Sequence, residues 1–305
     1  MTLRSRSLTL GTRGSTLARW QTDWVLARLY EAWPGLECRT QLFSTSGDKI
    51  LDKSLSEIGG KGLFTEELEN ALRSAEIDLA VHSLKDLPID EAPGLTLGAI
   101  CVREDPRDVL ISQNGSTLQT LPPGARVGTS SLRRAAQLLT ARPDLILLPI
   151  RGNVDTRIRK VVTGNYDAIV LAAAGVLRLG LSGHISEYLP VDVMLPAPGQ
   201  GALAVQCRAD DSVVLELLAP LNDATTCSAV TAERVFLKGL GGGCSAPVAA
   251  YAYSSALVDV SMTGLVASPD GRRVIRVAGE GHDPVALGTQ LAQEALAQNA
   301  GEILK

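Results

Sequence analysis

The sequence predicts an α/β fold: two α/β lobes joined by a hinge, followed by a smaller C-terminal α+β unit with an antiparallel sheet. Composition is the first reason. A chain of 305 residues, 45% apolar, 20% charged and only 4% aromatic, can bury several cores, and those cores must be aliphatic. Periodicity is the second: short apolar runs alternate with helical patterns, twice in succession, as a mainly parallel sheet requires. The third is a change of pattern after Asp223, where a helix and then three alternating segments replace the β-α repeat.

The first lobe opens with an extended stretch from Ser7 to Thr12 and a turn through Gly11 to Gly14. Ser15 then stands in position to cap a helix reaching Ala32, which Pro34-Gly35 ends. A strand from Cys38 to Phe43, the glycine-rich stretch Ile58 to Gly62, a helix from Leu63 to Ser74 and a buried parallel strand from Ile77 to Ser83 complete a β-α-β-α-β order. A second unit of the same build starts near Glu104. Its strands are expected over Asp108 to Ser112, Ala125 to Val127, Leu145 to Pro149 and Asp167 to Leu171, with helices over Ser131 to Ala141 and Asn153 to Val162. Met194 to Pro198 is proline-rich, and Gly201 to Cys207 reads as a strand that returns the chain to the first lobe, so that two crossings form a hinge.

In the last unit a helix from Asp223 to Lys238 precedes the loop Gly239 to Pro247. The segments Val248 to Tyr253, Leu257 to Leu265 and Arg273 to Gly279 alternate, and an amphipathic helix from Pro284 to Gln298 closes the chain. The expected domains are therefore residues 1–101 with 201–220, residues 105–195, and residues 223–305.

A net charge of -4 argues against a protein that coats nucleic acid, yet the charge is unevenly spread. Between Arg126 and Lys160 stand Arg133, Arg134, Arg142, Arg151, Arg157 and Arg159, against only Asp144 and Asp155. A nucleic-acid reading of this stretch lacks interleaved aromatics, Tyr166 being the nearest. Five cysteines without a C-x-x-C pair favour reduced thiols over a disulfide framework or a zinc ribbon, and the three histidines have no metal-ligand spacing. Gly199 to Ala204 fits G-x-G-x-x-A but follows a proline-rich turn and enters a strand, the reverse of a dinucleotide site. Neither a signal peptide nor an apolar run of membrane-spanning length is found, so the expectation is a cytoplasmic protein without membrane or nucleic-acid partners; a monomer is expected separately.

Three constellations carry chemistry. In Leu240 to Pro247, glycines at 241, 242 and 243 strip side-chain cover from Cys244; the thiol is either an ordinary small buried hydrophobe or an accessible attachment point. His82-Ser83-Leu84-Lys85-Asp86 places Lys85 and Asp86 just beyond the carboxyl end of a buried strand, where open α/β sheets keep their ligand sites; a solvated Lys-Asp pair is the plain alternative. Gly128 to Arg134 follows a strand with hydroxyls and the positive end of a helix. Arg151 to Arg157 repeats that logic, and Arg178 follows a further strand. Arginines gathered at successive strand ends are forks for carboxylates or phosphates, although a basic solvated face would also explain them.

Gly11 to Ala18, Gly59 to Phe64, His82 to Pro88, Gly128 to Arg134, Arg151 to Arg157 and Gly242-Gly243-Cys244 together, in this order, resemble the hydroxymethylbilane synthase (porphobilinogen deaminase) family. The resemblance spans residues 10–250 or so; the C-terminal stretch carries little signature, and Gly241 stands where many members have a polar residue. It implies two lobes like those of type II periplasmic binding proteins, with a third domain holding the cofactor loop. It also implies a dipyrromethane joined to Cys244 through a thioether, on which four porphobilinogen molecules condense with loss of ammonia before linear hydroxymethylbilane is released by hydrolysis.

By the same resemblance Asp86 is the catalytic carboxylate, stabilising positive charge on pyrrole nitrogens and helping to move protons. Lys85, Ser83, Thr129, Ser130, Ser131, Arg133, Arg134 and Gly152 bind the cofactor; Arg13, Ser15, Arg151, Arg157, Arg178 and Gln200 bind substrate; Lys61 and Phe64 belong to a lid. No metal is implied. The rival from another class is a non-catalytic, two-lobed protein that captures anionic solutes; it leaves Cys244 without a purpose.

Overall fold

The computed structural model describes residues 7–45, 65–242, 246–256 and 259–304. In chain order, β1 (Ser7–Arg13), α1 (Thr16–Ala32), β2 (Glu37–Phe43), α2 (Glu66–Arg73) and β3 (Leu79–Ser83) lead into a 3-10 turn at Leu84–Asp86 and then β4 (Leu95–Ile100). β5 (Asp108–Ser112), β6 (Arg126–Gly128), α3 (Leu132–Ala141), β7 (Ile146–Leu148), α4 (Val154–Val162), β8 (Ala168–Ala172), α5 (Ala173–Arg178) and β9 (Glu187–Tyr188) follow. The chain continues through β10 (Leu203–Arg208), α6 (Ser212–Leu218), α7 (Ala224–Gly239), β11 (Val248–Ala256), β12 (Asp259–Ala267), β13 (Val274–Gly281), α8 (Pro284–Ala297) and α9 (Ala300–Ile303).

The first sheet has the order β2-β1-β3-β10-β4, in which β1 is parallel to both β2 and β3 while β10 runs antiparallel between β3 and β4. The strand expected to return the chain to the first lobe therefore enters the middle of the sheet, not its edge. α1 and α6 bury Val25, Leu29, Val214, Leu217 and Leu218 against one face; α2 covers the other with Leu68, Ala71 and Leu72. Ser15 caps α1, its Oγ accepting from Ala18 N at 3.2 Å, as its place before the helix requires.

The second sheet, β7-β6-β8-β5-β9, is again mixed: β6 is parallel to β7 and β8, and β5 is antiparallel to β8 and β9. α3 contributes Leu138 to one face, and α4 and α5 contribute Ile158, Val161 and Val176 to the other. Five elements went unread in the sequence: β4, β9, α5, α6 and the short terminal α9. β4 carries Gly98 in mid-strand, which weakens its signal; a Cβ there would lie 2.5 Å from Leu218 Cδ1, so the glycine is what admits α6.

The two crossings between sheets run from Ile100 to Asp108 and from Tyr188 back to Leu203, and they touch: Glu104 N donates to Gly201 O at 3.2 Å. Gly201 has φ of 93°, and a Cβ on it would lie 2.4 Å from Glu104 O, so no other residue fits both its conformation and its neighbour. The third unit is the antiparallel sheet β11-β12-β13 covered by α7 and α8 around Phe236, Leu291 and Val266.

Candidate active site

The turn after β3 is anchored by its leucines. Leu84 and Leu87 are buried beside Ile100, Ala202 and Val230, and Leu84 N donates to Ala202 O at 3.0 Å. With those side chains taken inward, Lys85 is left half-buried and Asp86 exposed. Lys85 Nζ donates to Gln200 Oε1 at 3.2 Å. Burial lowers the Lys85 pKa to about 8; Arg134 and Arg133 push in the same direction, and Asp86 and Asp108 oppose them. Ser83 at the end of β3 accepts from Gln21 Nε2 at 2.9 Å.

Across the crossings, α3 begins with the two arginines expected to bind anions, and both are buried. Their partner is Asp108, the fully buried first residue of β5. Asp108 Oδ1 accepts from Nε and Nη2 of Arg134 at 3.1 and 2.7 Å, and Oδ2 lies 2.8 Å from Arg133 Nη2. Arg133 also donates to Leu195 O at 2.7 Å, and Arg134 to Val170 O at 3.1 Å. Burial alone would raise the Asp108 pKa, yet Arg133 and Arg134, with Lys85, hold it well below the ordinary carboxylate range. Gln200, also fully buried, joins the halves: its Nε2 donates to Asp108 Oδ1 at 3.0 Å and to Pro106 O at 2.7 Å.

The hydroxyls beside α3 serve its start. Ser131 caps the helix, Thr129 Oγ1 accepts from Ser131 N at 3.2 Å, and Ser130 Oγ both donates to Ile150 O (2.8 Å) and accepts from Ile150 N (3.0 Å). Thr129 and Ser131 accept in these bonds and keep their O–H protons to donate; Ser130 has already used its proton. After β7, Gly152 adopts φ of 116° and its carbonyl accepts from Arg157 Nε at 2.7 Å. The Arg157 pKa is lowered to about 10, by burial first and then by the neighbouring Arg134 and Arg151, with Asp86 opposing them. Arg157 belongs to α4 in the second unit and Asp86 to the first, and the charge of Asp86 reaches Arg157 across the two.

Lys85, Asp86, Arg133, Arg134, Arg151 and Arg157 are thus brought together, with Gln200 between them. Arg13, half-buried at the end of β1, and the capping Ser15 lie at the neighbouring strand end; the charge of Arg13 reaches His82 on β3. Arg178, at the end of α5, lies beside the returning crossing. It donates to Gly201 O at 2.7 Å and lies over Trp20, 5.8 Å from the ring centroid, and its pKa, about 10 through burial, answers to Glu104 and Cys101. Its described contacts therefore tie α5 to the returning crossing. Lys61, Phe64 and Cys244 lie outside the described residues; the chain flanking Cys244 is placed as far as Gly242, just past α7, and again from Ala246.

Sequence reasoning missed Asp108, taken only as the start of a strand, and the pair Arg103–Glu233. Glu233 is fully buried on α7, bound by Arg103 Nη1 at 2.6 Å, Gly199 N at 2.6 Å and Ala252 N at 2.8 Å. A signal existed: Glu233 shares the helical stripe of Ala229, Phe236, Leu237 and Leu240, and a carboxylate in an apolar stripe must have a partner. Among the described residues no cluster of His, Cys, Asp and Glu is arranged for a metal, and no helix is long and apolar enough to cross a membrane.

Residues 8–216 match the family model described as porphobilinogen deaminase, dipyromethane cofactor binding domain, and residues 227–297 match the porphobilinogen deaminase C-terminal domain. Among curated relatives, porphobilinogen deaminase of Brevibacillus brevis is 52% identical over 97% of this chain and 96% of its own length. That of Moorella thermoacetica is 54% identical over 97% and 95%, and that of a Roseiflexus strain 53% over 98% and 99%. Solved structures that align include a probable amino-acid transporter extracellular-binding protein from Bacillus subtilis, at 12% identity, 71% of this chain, 90% of that chain and a TM-score of 0.44. With both family models matched in order and relatives aligned along nearly their whole length, the chain belongs to the porphobilinogen deaminase family.

Proposed function

We propose that the facing residues of the two lobes form the active site of this hydroxymethylbilane synthase, with Asp86 as the catalytic carboxylate and the surrounding cations as carboxylate receptors. The family's dipyrromethane suits the residues present. Lys85 and Arg157 have their pKa values lowered to about 8 and about 10 by burial and by one another's cationic neighbours, a crowding that anionic acetate and propionate arms relieve. When bound, the dipyrromethane supplies the pyrrole carbon to which the first porphobilinogen is joined.

The observation that carries this reading is the exposed carboxylate of Asp86, whose charge acts on both Lys85 and Arg157, while Asp108 is fully buried among the arginines. Asp86 is free of the tight ion pairs that fix Asp108, so it can attend to positive charge arising on pyrrole nitrogens and take or return a proton there. Lys85, Arg133, Arg134, Arg151 and Arg157 hold carboxylates; Arg13 and Ser15 extend that surface, and Thr129 and Ser131 donate their remaining O–H protons. Gln200 works by fixing Lys85 against Asp108, and Arg178 by holding the returning crossing; Ser83, Ser130 and Gly152 shape the backbone around them. Cys244 carries the thioether, and Lys61 with Phe64 belong to a cover over the site.

The domains run as residues 1–101 with 201–220, 105–195 and 223–305, and the enzyme works in the cytoplasm as a monomer; the four described cysteines, all unpaired, suit a reducing compartment. Intact-mass measurement with kinetics tests the reading. The purified protein is expected to exceed its sequence mass by two linked pyrrole units, and Cys244→Ser to remove that excess. Asp86→Asn is expected to keep the excess and lose turnover by about 10²-fold or more. Near-normal turnover by Asp86→Asn would refute its role.

A further inference from the structure

α7 belongs to the third unit, yet one of its side chains reaches the turn that carries Asp86. Arg234 Nη2 donates to Pro88 O at 2.6 Å and to Ile89 O at 3.4 Å, while Nη1 donates to Leu87 O at 3.4 Å and lies 3.5 Å from Leu84 O. Those carbonyls end a 3-10 turn too short to satisfy them internally: Leu84 O accepts only from Leu87 N, at 3.2 Å, along the turn itself. The planar guanidinium, with donors on both arms, is the side chain suited to gather several carbonyls at once. One turn earlier on the same helix, Val230 packs with Leu84 and Leu87, so apolar contact and hydrogen bonds seat the segment from both sides of Asp86. Glu233, adjacent to Arg234, meanwhile holds Gly199 and Arg103.

We infer that Arg234 is a positioning residue for Asp86: it fixes the carbonyls of Leu84 to Ile89 and thereby sets where the catalytic carboxylate stands. This rests on Asp86 having the role proposed above. The guanidinium binds the backbone that follows Asp86 and leaves that carboxylate exposed for substrate. Because α7 ends at Gly239, five residues before Cys244 in sequence, the same helix leads toward the cofactor attachment point at one end and braces the catalytic turn along its side.

The test uses full-length Arg234→Gln, Arg234→Lys, Asp86→Asn and the Arg234→Gln/Asp86→Asn double variant. Intact mass first reports cofactor loading. Positioning predicts that Arg234→Gln loads normally, loses about tenfold to a hundredfold in kcat, and keeps KM for porphobilinogen within about threefold. It also predicts faster amide hydrogen exchange at Leu87 and Ile89, a readout independent of turnover, with partial recovery in Arg234→Lys because one ammonium still reaches Pro88 O. In the Asp86→Asn background, Arg234→Gln is expected to add little further loss. Unchanged kcat and exchange in Arg234→Gln, or a kcat loss that multiplies in full with that of Asp86→Asn, overturns the inference. If Arg234→Gln does not fold, Arg234→Lys carries the same readouts, and wild-type exchange together with wild-type kcat overturns it. Normal turnover by Asp86→Asn alone instead defeats the reading of Asp86, while the exchange measurement still reports whether Arg234 holds the turn.

Discussion

Asp108 Oδ1 accepts two hydrogen bonds from Arg134, at 3.1 and 2.7 Å, in a site that water does not reach. Arg134, which the family resemblance assigns to cofactor binding, is therefore also a partner of its own protein, and Arg133 shares the same carboxylate at 2.8 Å. Asp108→Asn would leave two buried guanidiniums without a counter-charge. The expected cost is about 3–5 kcal/mol of folding stability, larger than a surface substitution produces. Urea denaturation of wild type and variant checks it, and a loss under about 1 kcal/mol would show the arginines to be satisfied by other means.

His82 supplies a pH prediction. Burial pushes its pKa down to about 4; a hydrogen bond with Gln206 opposes that shift and the charge of Arg13 adds to it. The unfolded chain titrates this group near about 6.5. Between those values the unfolded state binds more protons, so the contribution is absent above about pH 6.5 and stability is lost as pH falls toward about 4. The loss from this residue is on the order of 2–3 kcal/mol. His82→Gln is expected to flatten the dependence of the urea midpoint over that window, and an unaltered slope would assign the acid sensitivity elsewhere.

Gly288 tests packing away from the site. It lies on α8 where a Cβ would come 2.5 Å from Ala232 O and 2.9 Å from Val235 Cβ of α7. Gly288→Ala must push the two helices apart, and the expected loss is about 1–3 kcal/mol by thermal or chemical denaturation. A neutral or stabilising result would mean that the helices can separate without losing the contacts around Phe236.

The main architecture was legible because hydrophobic period and cap chemistry act locally. Ser15, Ser131 and Asp223 each cap the helix that their positions announced, and the apolar run before Ser83 forms the buried parallel strand. The same reading could place Lys85, Asp86 and the arginines at strand ends without seeing what they touch. Asp108 pairs with residues 25 and 26 positions away, and Arg103 with one 130 positions away; only closure of the sheets brings them together. Arg178 is a further instance. Its type and position suit an anion, and its neighbours Trp20 and Gly201 come from distant parts of the chain that no local pattern announces.

The third unit touches the rest at more than one place. Arg234 and Val230 bind it to the first lobe, and Ala250 N donates to Pro196 O at 3.0 Å beside the returning crossing. At the second lobe, Thr140 Oγ1 donates to Gly271 O at 2.8 Å, over a patch formed by Ala136, Leu195, Ala249, Leu265 and Ala267. Two crossings and contacts to both lobes thus link the three units. Any rotation of one lobe against the other has to shear that largely alanine seam, whose short side chains interlock least and resist sliding least. Sequence changes that roughen the seam would then govern the speed of the working cycle from a distance, without touching a single group that meets the substrate.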